Sequence, residues 1–302
     1  MKRIILNWLP PSMVEMPSPS MSILQQYLIC NSFETNIVYW NILFNNLQKE
    51  FLWWPKETLT DSELHAELLF YNYLAIKHND KESYAKVKSV LISIKPQYLS
   101  VGDVFFDHHM KAYAEKLDQI IDEELARWDF NNILFIGMST NLYQWICSSI
   151  LANKIKVIAP QIPIVIGGIG TKESAVSFLT SFPQFDIALW GEGEYELLEL
   201  SKYIANNTYD INKKLQIPHI AFREENNILV SETINHEYID LSSEMIRPNF
   251  DDYFTQLNAL GEKNSNIDIV LCIEGSRSCH WKQCKFCYLN TGYKYRLNQL
   301  VP

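Results

Sequence analysis

Short continuous apolar runs in this chain alternate with longer stretches whose apolar positions recur at helical spacing. Residues 3–9 (Arg-Ile-Ile-Leu-Asn-Trp-Leu) form one such run, which stops at Pro10-Pro11 and has the pattern of a buried strand. A loop rich in Pro, Ser and Met follows, then a helical pattern from about Met21 to Cys30. Thr35 to Tyr39 is a second short β-branched run, with more helical pattern behind it. Strand, loop, helix, strand is the opening of a parallel α/β sheet.

Residues 50 to about 127 interrupt this rhythm. Phe51-Leu52-Trp53-Trp54, Leu68-Leu69-Phe70-Tyr71 and an amphipathic run from Asp107 to Trp128 predict a helical insertion between strands. Within it, Trp53-Trp54 read as core or domain interface in preference to a lid or groove. Asp107-His108-His109 reads as a capped surface-helix start, and the acidic stretch Asp118 to Glu124 as a solvated helix face. The α/β rhythm then returns, with strands at Asn132–Gly137, Pro163–Ile166 and Asp186–Trp190 and helices at about Leu142–Lys156 and Glu173–Thr180. The expected fold class is α/β: a Rossmann-like, doubly wound parallel sheet with right-handed crossovers and a helical insertion. In such sheets ligands bind beyond the carboxyl ends of the strands, and Ser139, Gly167-Gly168 and Gly191-Glu192-Gly193 all fall at that edge. Glycine pairs of this kind also serve as ordinary strand-to-helix turns.

Residues 219–231 read as a hairpin around Glu224-Glu225-Asn226-Asn227, and 236–266 as a polar connector. Ile267 to Ile273 then predicts a new strand, with a cysteine-rich loop directly after it. A strand followed by a functional loop resembles the first unit of a barrel of alternating strands and helices. The expected organisation is an α/β domain over 1–235, the connector, and the start of a barrel over 267–302. Cys287 is followed by fifteen residues, whereas such a barrel takes about 200–250, so only its first part is expected here.

Composition narrows the function classes. With 302 residues, 47% hydrophobic and 20% charged, the chain can bury a large core in about two domains. A net charge of −9 argues against nucleic-acid binding, which normally needs a basic face. Lys282, Lys285, Lys294 and Arg296 do make a local basic rim around the cysteines, suited to solvent, an acidic peptide or a cofactor carboxylate. No apolar stretch approaches the roughly 18 residues of a membrane span, and Ile4-Ile5-Leu6 is interrupted too soon for a secretory signal. Cys30, Cys147 and Cys272 stand singly in apolar contexts and read as small core residues. With no disulfide framework, a soluble protein of the reducing cytoplasm is expected.

The remaining three cysteines carry the chemistry. Cys279, Cys284 and Cys287 lie within the string Glu274-Gly275-Ser276-Arg277-Ser278-Cys279-His280-Trp281-Lys282-Gln283-Cys284-Lys285-Phe286-Cys287. Three readings compete: chance clustering, a zinc site and an iron–sulfur cluster. Zinc wants four ligands; His280 is the nearest candidate for a fourth, but it would have to converge with its neighbour Cys279 on one tetrahedral ion. A [4Fe–4S] cluster held by three thiolates leaves one iron open, and this reading is favoured.

The run Glu-Gly-Ser-Arg-x-Cys followed by Cys-x-Phe-Cys resembles the cluster loop of radical S-adenosylmethionine (SAM) enzymes. The preceding α/β region, with Gly-Gly and Gly-Glu-Gly-Glu, is similar to the cobalamin-binding domain of their B12-dependent subgroup, closest to the radical SAM proteins of ribosomal-peptide maturation. Two departures stand out: the gap between Cys279 and Cys284 is four residues where three is commonest, and Ser278 replaces the usual glycine. The resemblance implies that Cys279, Cys284 and Cys287 each bind one iron of a [4Fe–4S] cluster, and that SAM chelates the fourth. It implies reductive cleavage of SAM to a 5′-deoxyadenosyl radical, with Phe286 packing near the adenine. It implies cobalamin across the strand ends near Ser139, Gly167, Gly168, Gly191, Glu192 and Gly193, with no histidine ligand to cobalt. The expected reaction is modification, above all C-methylation, of a peptide or other unactivated carbon, fed by an electron donor such as flavodoxin or ferredoxin. The competing expectation is a non-catalytic cobalamin- or zinc-binding module.

Overall fold

Strands β1 (Arg3–Trp8), β2 (Thr35–Tyr39), β3 (Ile133–Ser139), β4 (Ile164–Ile169), β5 (Ile187–Trp190), β6 (Ile220–Glu224) and β7 (Asn227–Val230) hydrogen-bond into one sheet, in the order β2-β1-β3-β4-β5-β6-β7. This is a computed structural model, and it describes residues 2–47, 59–94, 102–206, 209–233, 237–259, 261, 268–287 and 294–299. The first five strands are parallel; β6 and β7 close the sheet as an antiparallel hairpin. The β-branched runs of the sequence thus pair as a mixed α/β sheet. Its order 2-1-3-4-5 reverses direction between β1 and β3, the place where open α/β sheets hold ligands.

Both faces of the central strands are covered, which is why β1, β3, β4 and β5 read as largely continuous apolar runs, whereas the edge strand β2 alternates buried and half-buried positions. All seven residues of β3 are buried. Ile5 faces the same side as Ile136, Ile164 and Ile166, whereas Ile4, Leu6 and Trp8 face the opposite core. Among the described residues the insertion forms three helices, α3 (Leu59–Lys77), α4 (Lys81–Ile94) and α5 (Asp103–Leu125). They share the first core with α6 (Trp145–Ile158) and α7 (Lys172–Ser181). The second core holds α1 (Pro19–Cys30) and α8 (Glu194–Ala205). Short helices α2 (Trp40–Leu43) and α9 (Ile211–Lys214) follow β2 and precede β6.

Several expectations need correction. Asp107 does not cap a helix: α5 begins four residues earlier, at Asp103. The Asp107 carboxylate instead accepts hydrogen bonds from Tyr84 Oη at 2.6 Å and Lys88 Nζ at 2.8 Å, tying α5 to α4. Asp118 is not simply solvated. Tyr73 Oη donates to it at 2.6 Å and Lys154 Nζ pairs with it at 2.9 Å; Lys77 pairs with it as well. Cys30 is exposed and Cys272 half-exposed, so only Cys147 of the three is a core thiol. Trp53 and Trp54 lie outside the described residues.

The connector is structural as well as polar. Its helix α10 (Asp251–Ala259) covers the free edge of β2. Asp252 Oδ2 accepts from the Ile37 backbone N–H at 2.7 Å and from Gln25 Nε2 at 2.6 Å. Gln256 Oε1 accepts from Tyr39 N–H at 2.9 Å, while its Nε2 donates to Ile37 O at 2.7 Å. Two side chains therefore occupy ladder positions that a missing strand would fill, which blocks edge-to-edge association.

The strand expected at Ile267–Ile273 does not form. Ile267 is outside the described residues, and residues 268–275 carry no ladder. Val270 N–H bonds instead to Glu15 O at 3.0 Å, and Ile269, Val270, Leu271 and Ile273 are exposed. A β-branched run favours a strand only where a partner backbone and a covering layer complete it. The chain next forms a two-stranded ribbon, β8 (Ser276–Arg277) against β9 (Arg296–Leu297).

Candidate cofactor cavity and cysteine loop

A cavity of about 580 Å³ opens at the carboxyl ends of the parallel strands. Its floor is Leu6 of β1, Gly137–Ser139 of β3, Val165 and Gly167 of β4 and Leu189 of β5. The first turn of α1 forms one wall, the start of α8 another, and Cys272, Ile273, Glu274 and Arg277 reach across the mouth. Ser139, Gly167, Gly168, Gly191, Glu192 and Gly193, expected from the sequence to line one ligand, all line this cavity.

The glycines have separable reasons for being there. Gly168 has φ +75°, and a Cβ on it would sit 2.9 Å from Ser139 Oγ and 3.0 Å from the Asn141 side chain. Gly191 has φ +86°, which turns β5 toward α8. A Cβ at Gly137 would lie 2.7 Å from Leu6 Cδ2, so this glycine lets β1 and β3 close the floor. Gly167 meets nothing nearer than Met138 O at 3.9 Å; its backbone borders open cavity. Ser139 Oγ accepts from the Asn141 N–H at 3.1 Å, and Thr140 Oγ1 donates to Gly168 O at 3.0 Å. These bonds lock the β3 and β4 ends together.

Glu192 is placed at the mouth, but its oxygens are engaged by protein. Arg277 reaches Glu192 Oε2 at 3.1 Å, Glu194 Oε1 at 2.8 Å and, through a two-pronged pair, Glu274 at 2.7 and 2.8 Å. Arg296 pairs with the other oxygen of Glu192 and donates to Ile239 O at 2.8 Å. The carboxylates of Glu192 and Glu194 are 9% and 6% exposed, so each needs its cation. Burial pushes the Arg277 guanidinium down, but Glu274 and Glu194 beside it more than reverse that and keep it charged. Glu194, Glu274, Arg277, Gly137 and Asn141 were not among the expected site residues. The available signal was opposite charge in two short motifs, Gly-Glu-Gly-Glu and Glu-Gly-Ser-Arg, far apart in the chain.

The cysteine loop starts directly after this ion-pair cluster. Ser278 adopts φ +69°, in the left-handed region where glycine is at ease, which accounts for a glycine-like role at that position. The Cys279 thiol is held below its ordinary pKa by backbone N–H groups of Lys282 and Trp281. Cys287 N–H closes a turn on Cys284 O at 3.2 Å. All three thiols are half-exposed and reduced. Among the described residues, no three His, Cys, Asp or Glu side chains are gathered to hold a metal ion. The donors therefore fit a soft-metal cluster by type and accessibility, while the loop itself does not hold them together. Phe286 is 93% exposed and apart from the cavity lining, and His280 rests its ring 5.7 Å from that of Tyr295. His108 and His109 lie on α5 in the insertion, outside the lining.

No family model matches the chain, and no curated protein matches it. Several solved chains are similar to it. Two of them are of the radical S-adenosylmethionine methyltransferase TsrM from Kitasatospora setae. One, with tryptophan substrate and a SAM analogue bound, is 12% identical with a TM-score of 0.42 over 76% of this chain. The other, with cobalamin and a [4Fe-4S] cluster bound, is 12% identical with a TM-score of 0.43 over 79%. This chain spans 30% of the length of either TsrM chain. At that identity the likeness assigns no residue a role. Among the described residues no helix is long and apolar enough to cross a membrane.

Proposed function

We propose that the chain carries the cobalamin-binding and cluster-binding portions of a radical SAM enzyme that C-methylates, or otherwise modifies, an unactivated carbon of a peptide or small molecule. One observation carries this reading: the three-cysteine loop is tied by buried ion pairs to the mouth of the cavity on which six glycine-rich strand-end residues converge.

In this reading Cys279, Cys284 and Cys287 hold three irons of a [4Fe–4S] cluster, and the cavity holds cobalamin. Bound together with SAM, these groups supply radical generation and methyl transfer, chemistry that no protein side chain performs. The chain's own residues bind, orient and exclude water. Gly167 and Gly191 let backbone approach the macrocycle, Ser139 keeps a hydroxyl proton free to donate, and Leu6, Val165 and Leu189 provide a dry floor. Glu192 acts indirectly, by fixing the two arginines. Phe286 is assigned to cover the adenosyl part of SAM, with flavodoxin or ferredoxin as electron donor in a reducing cytoplasm.

Anaerobic reconstitution with iron and sulfide tests the proposal. The expected result is a brown protein with about four irons per chain and thiolate-to-iron absorption, lost in the Cys279→Ala, Cys284→Ala, Cys287→Ala variant. Corrinoid absorbance should also be retained through gel filtration. A colourless chain carrying one zinc would replace this reading with a binding module.

A further inference from the structure

The stem of the cysteine loop has little sheet to hold it. Residues 268–275 form no ladder, and β8 pairs only with the short β9 among the described residues. A charge cluster joins this ribbon to the α/β body, beside two further bonds, Arg296 to Ile239 O at 2.8 Å and Gln299 N–H to Ser242 Oγ at 2.9 Å. Arg277 of β8 and Arg296 of β9 converge on Glu192, and Arg277 also reaches Glu194. Glu274, on the stem, accepts both prongs of the same guanidinium and so fixes its plane. Asn298 adds two bonds across the ribbon, N–H to Gly275 O at 2.9 Å and Nδ2 to Glu274 O at 3.1 Å.

This arrangement has a directional consequence. Three carboxylates share two guanidiniums, and those of Glu192 and Glu194 are almost wholly desolvated. Removing Arg277 would leave buried negative charge facing Glu274, and repulsion would drive the stem off the mouth. Cys279 is two residues beyond Arg277, and Ser278 between them is held in one left-handed conformation. Anchoring Arg277 therefore limits how far the first thiol can move, since two residues of chain span at most about 7 Å.

The geometry points to Arg277 as a positioning residue that clamps the stem of the cysteine loop to the cavity mouth through Glu192 and Glu194. The fork geometry matters as well as the charge, because a planar guanidinium satisfies carboxylates on two sides at once, which an ammonium does not. The inference leans on the proposed function only in taking the thiols as metal ligands.

Two measurements on the full chain test it. Hydrogen exchange of the metal-free protein should show residues 191–194 and 272–279 losing protection together in Arg277→Gln, by about tenfold, with β3 unchanged. The double variant Glu192→Gln, Glu194→Gln should do the same from the other side, and Arg277→Lys should fall between. Titration with Co(II) alone, read by thiolate-to-cobalt absorption, should show affinity about tenfold weaker in Arg277→Gln and partly restored in Arg277→Lys. Wild-type exchange rates at 272–279 in Arg277→Gln, or unchanged Co(II) affinity, would overturn the clamp. If Arg277→Gln does not fold, the double glutamate variant decides; if that also unfolds, the cluster is a folding element and the positioning role is overturned. Concerted exchange together with no Co(II) binding by wild type would leave the clamp standing and remove the metal-site reading.

Discussion

Replacing Gly168 and Gly167 one at a time separates the backbone demands of the cavity from its capacity to hold a ligand. At Gly168 an alanine meets two penalties. Its φ of +75° places any L-residue in the left-handed region, which costs about 1–2 kcal/mol. Its Cβ would also fall 2.9 Å from Ser139 Oγ and 3.0 Å from Asn141, so both side chains must shift, and overpacking of this sort costs about 1–3 kcal/mol. The sum is about 2–5 kcal/mol, or roughly 4–20 °C in Tm at about 2–4 °C per kcal/mol. Gly167→Ala meets only an ordinary 3.9 Å contact and should leave stability within about 1 kcal/mol. Gly167→Leu should then extend into the cavity and abolish corrinoid retention while the chain stays folded. The assays are thermal unfolding by circular dichroism and corrinoid absorbance after gel filtration. A Gly168→Ala protein melting with wild type would refute the backbone argument. A Gly167→Leu protein that retains corrinoid as wild type does would refute the placement of the ligand.

Further expectations concern the edge, the insertion and the loop. Asp252→Ala strips the carboxylate from Ile37 N–H and Gln25; urea unfolding should show a loss of about 2–3 kcal/mol, with light scattering revealing association through the uncovered β2 edge. Burial pushes the Asp118 carboxyl up, but hydrogen bonds from Lys77, Tyr73 and Lys154 outweigh it and hold its pKa below the ordinary value. Because the folded pKa is the lower one, its stabilisation is full above the unfolded pKa and is lost as pH falls through the folded one. Asp118→Asn should therefore flatten the acid limb of a stability–pH curve, and an unchanged limb would count against the pairing. At Ser278, φ +69° suits glycine and penalises a β-branched side chain. Ser278→Gly should keep iron uptake and Ser278→Val should reduce it, both read by iron content after reconstitution.

Much of the fold is legible in the pattern of residues because burial dictates it. Parallel strands covered on both faces are largely apolar, so β1, β3, β4 and β5 stand out as runs, and the glycine turns mark the edge where they end. Local propensity also places the insertion as helical. What escapes it are elements whose state depends on a distant partner. Residues 268–273 look like a strand, yet no ladder completes them. Residues 251–259 read as part of a polar connector, yet their polar side chains are spent on the β2 backbone some 215 residues earlier in the chain. Asp118 reads as a solvated acid until Tyr73 and Lys154 arrive from other helices.

The site divides the same way. Three closely spaced thiols make soft-metal ligation an expectation from donor type alone, since their spacing is a local property of the chain. Six strand-end residues announce a ligand edge because strand ends can be counted from the pattern. Only the tertiary structure shows that Glu192 is committed to Arg277 and Arg296, and that the cysteine loop is anchored at the cavity mouth. Charge pairing across 85 residues leaves no periodicity in sequence; it exists only when folding has removed both partners from water and brought them within reach of each other.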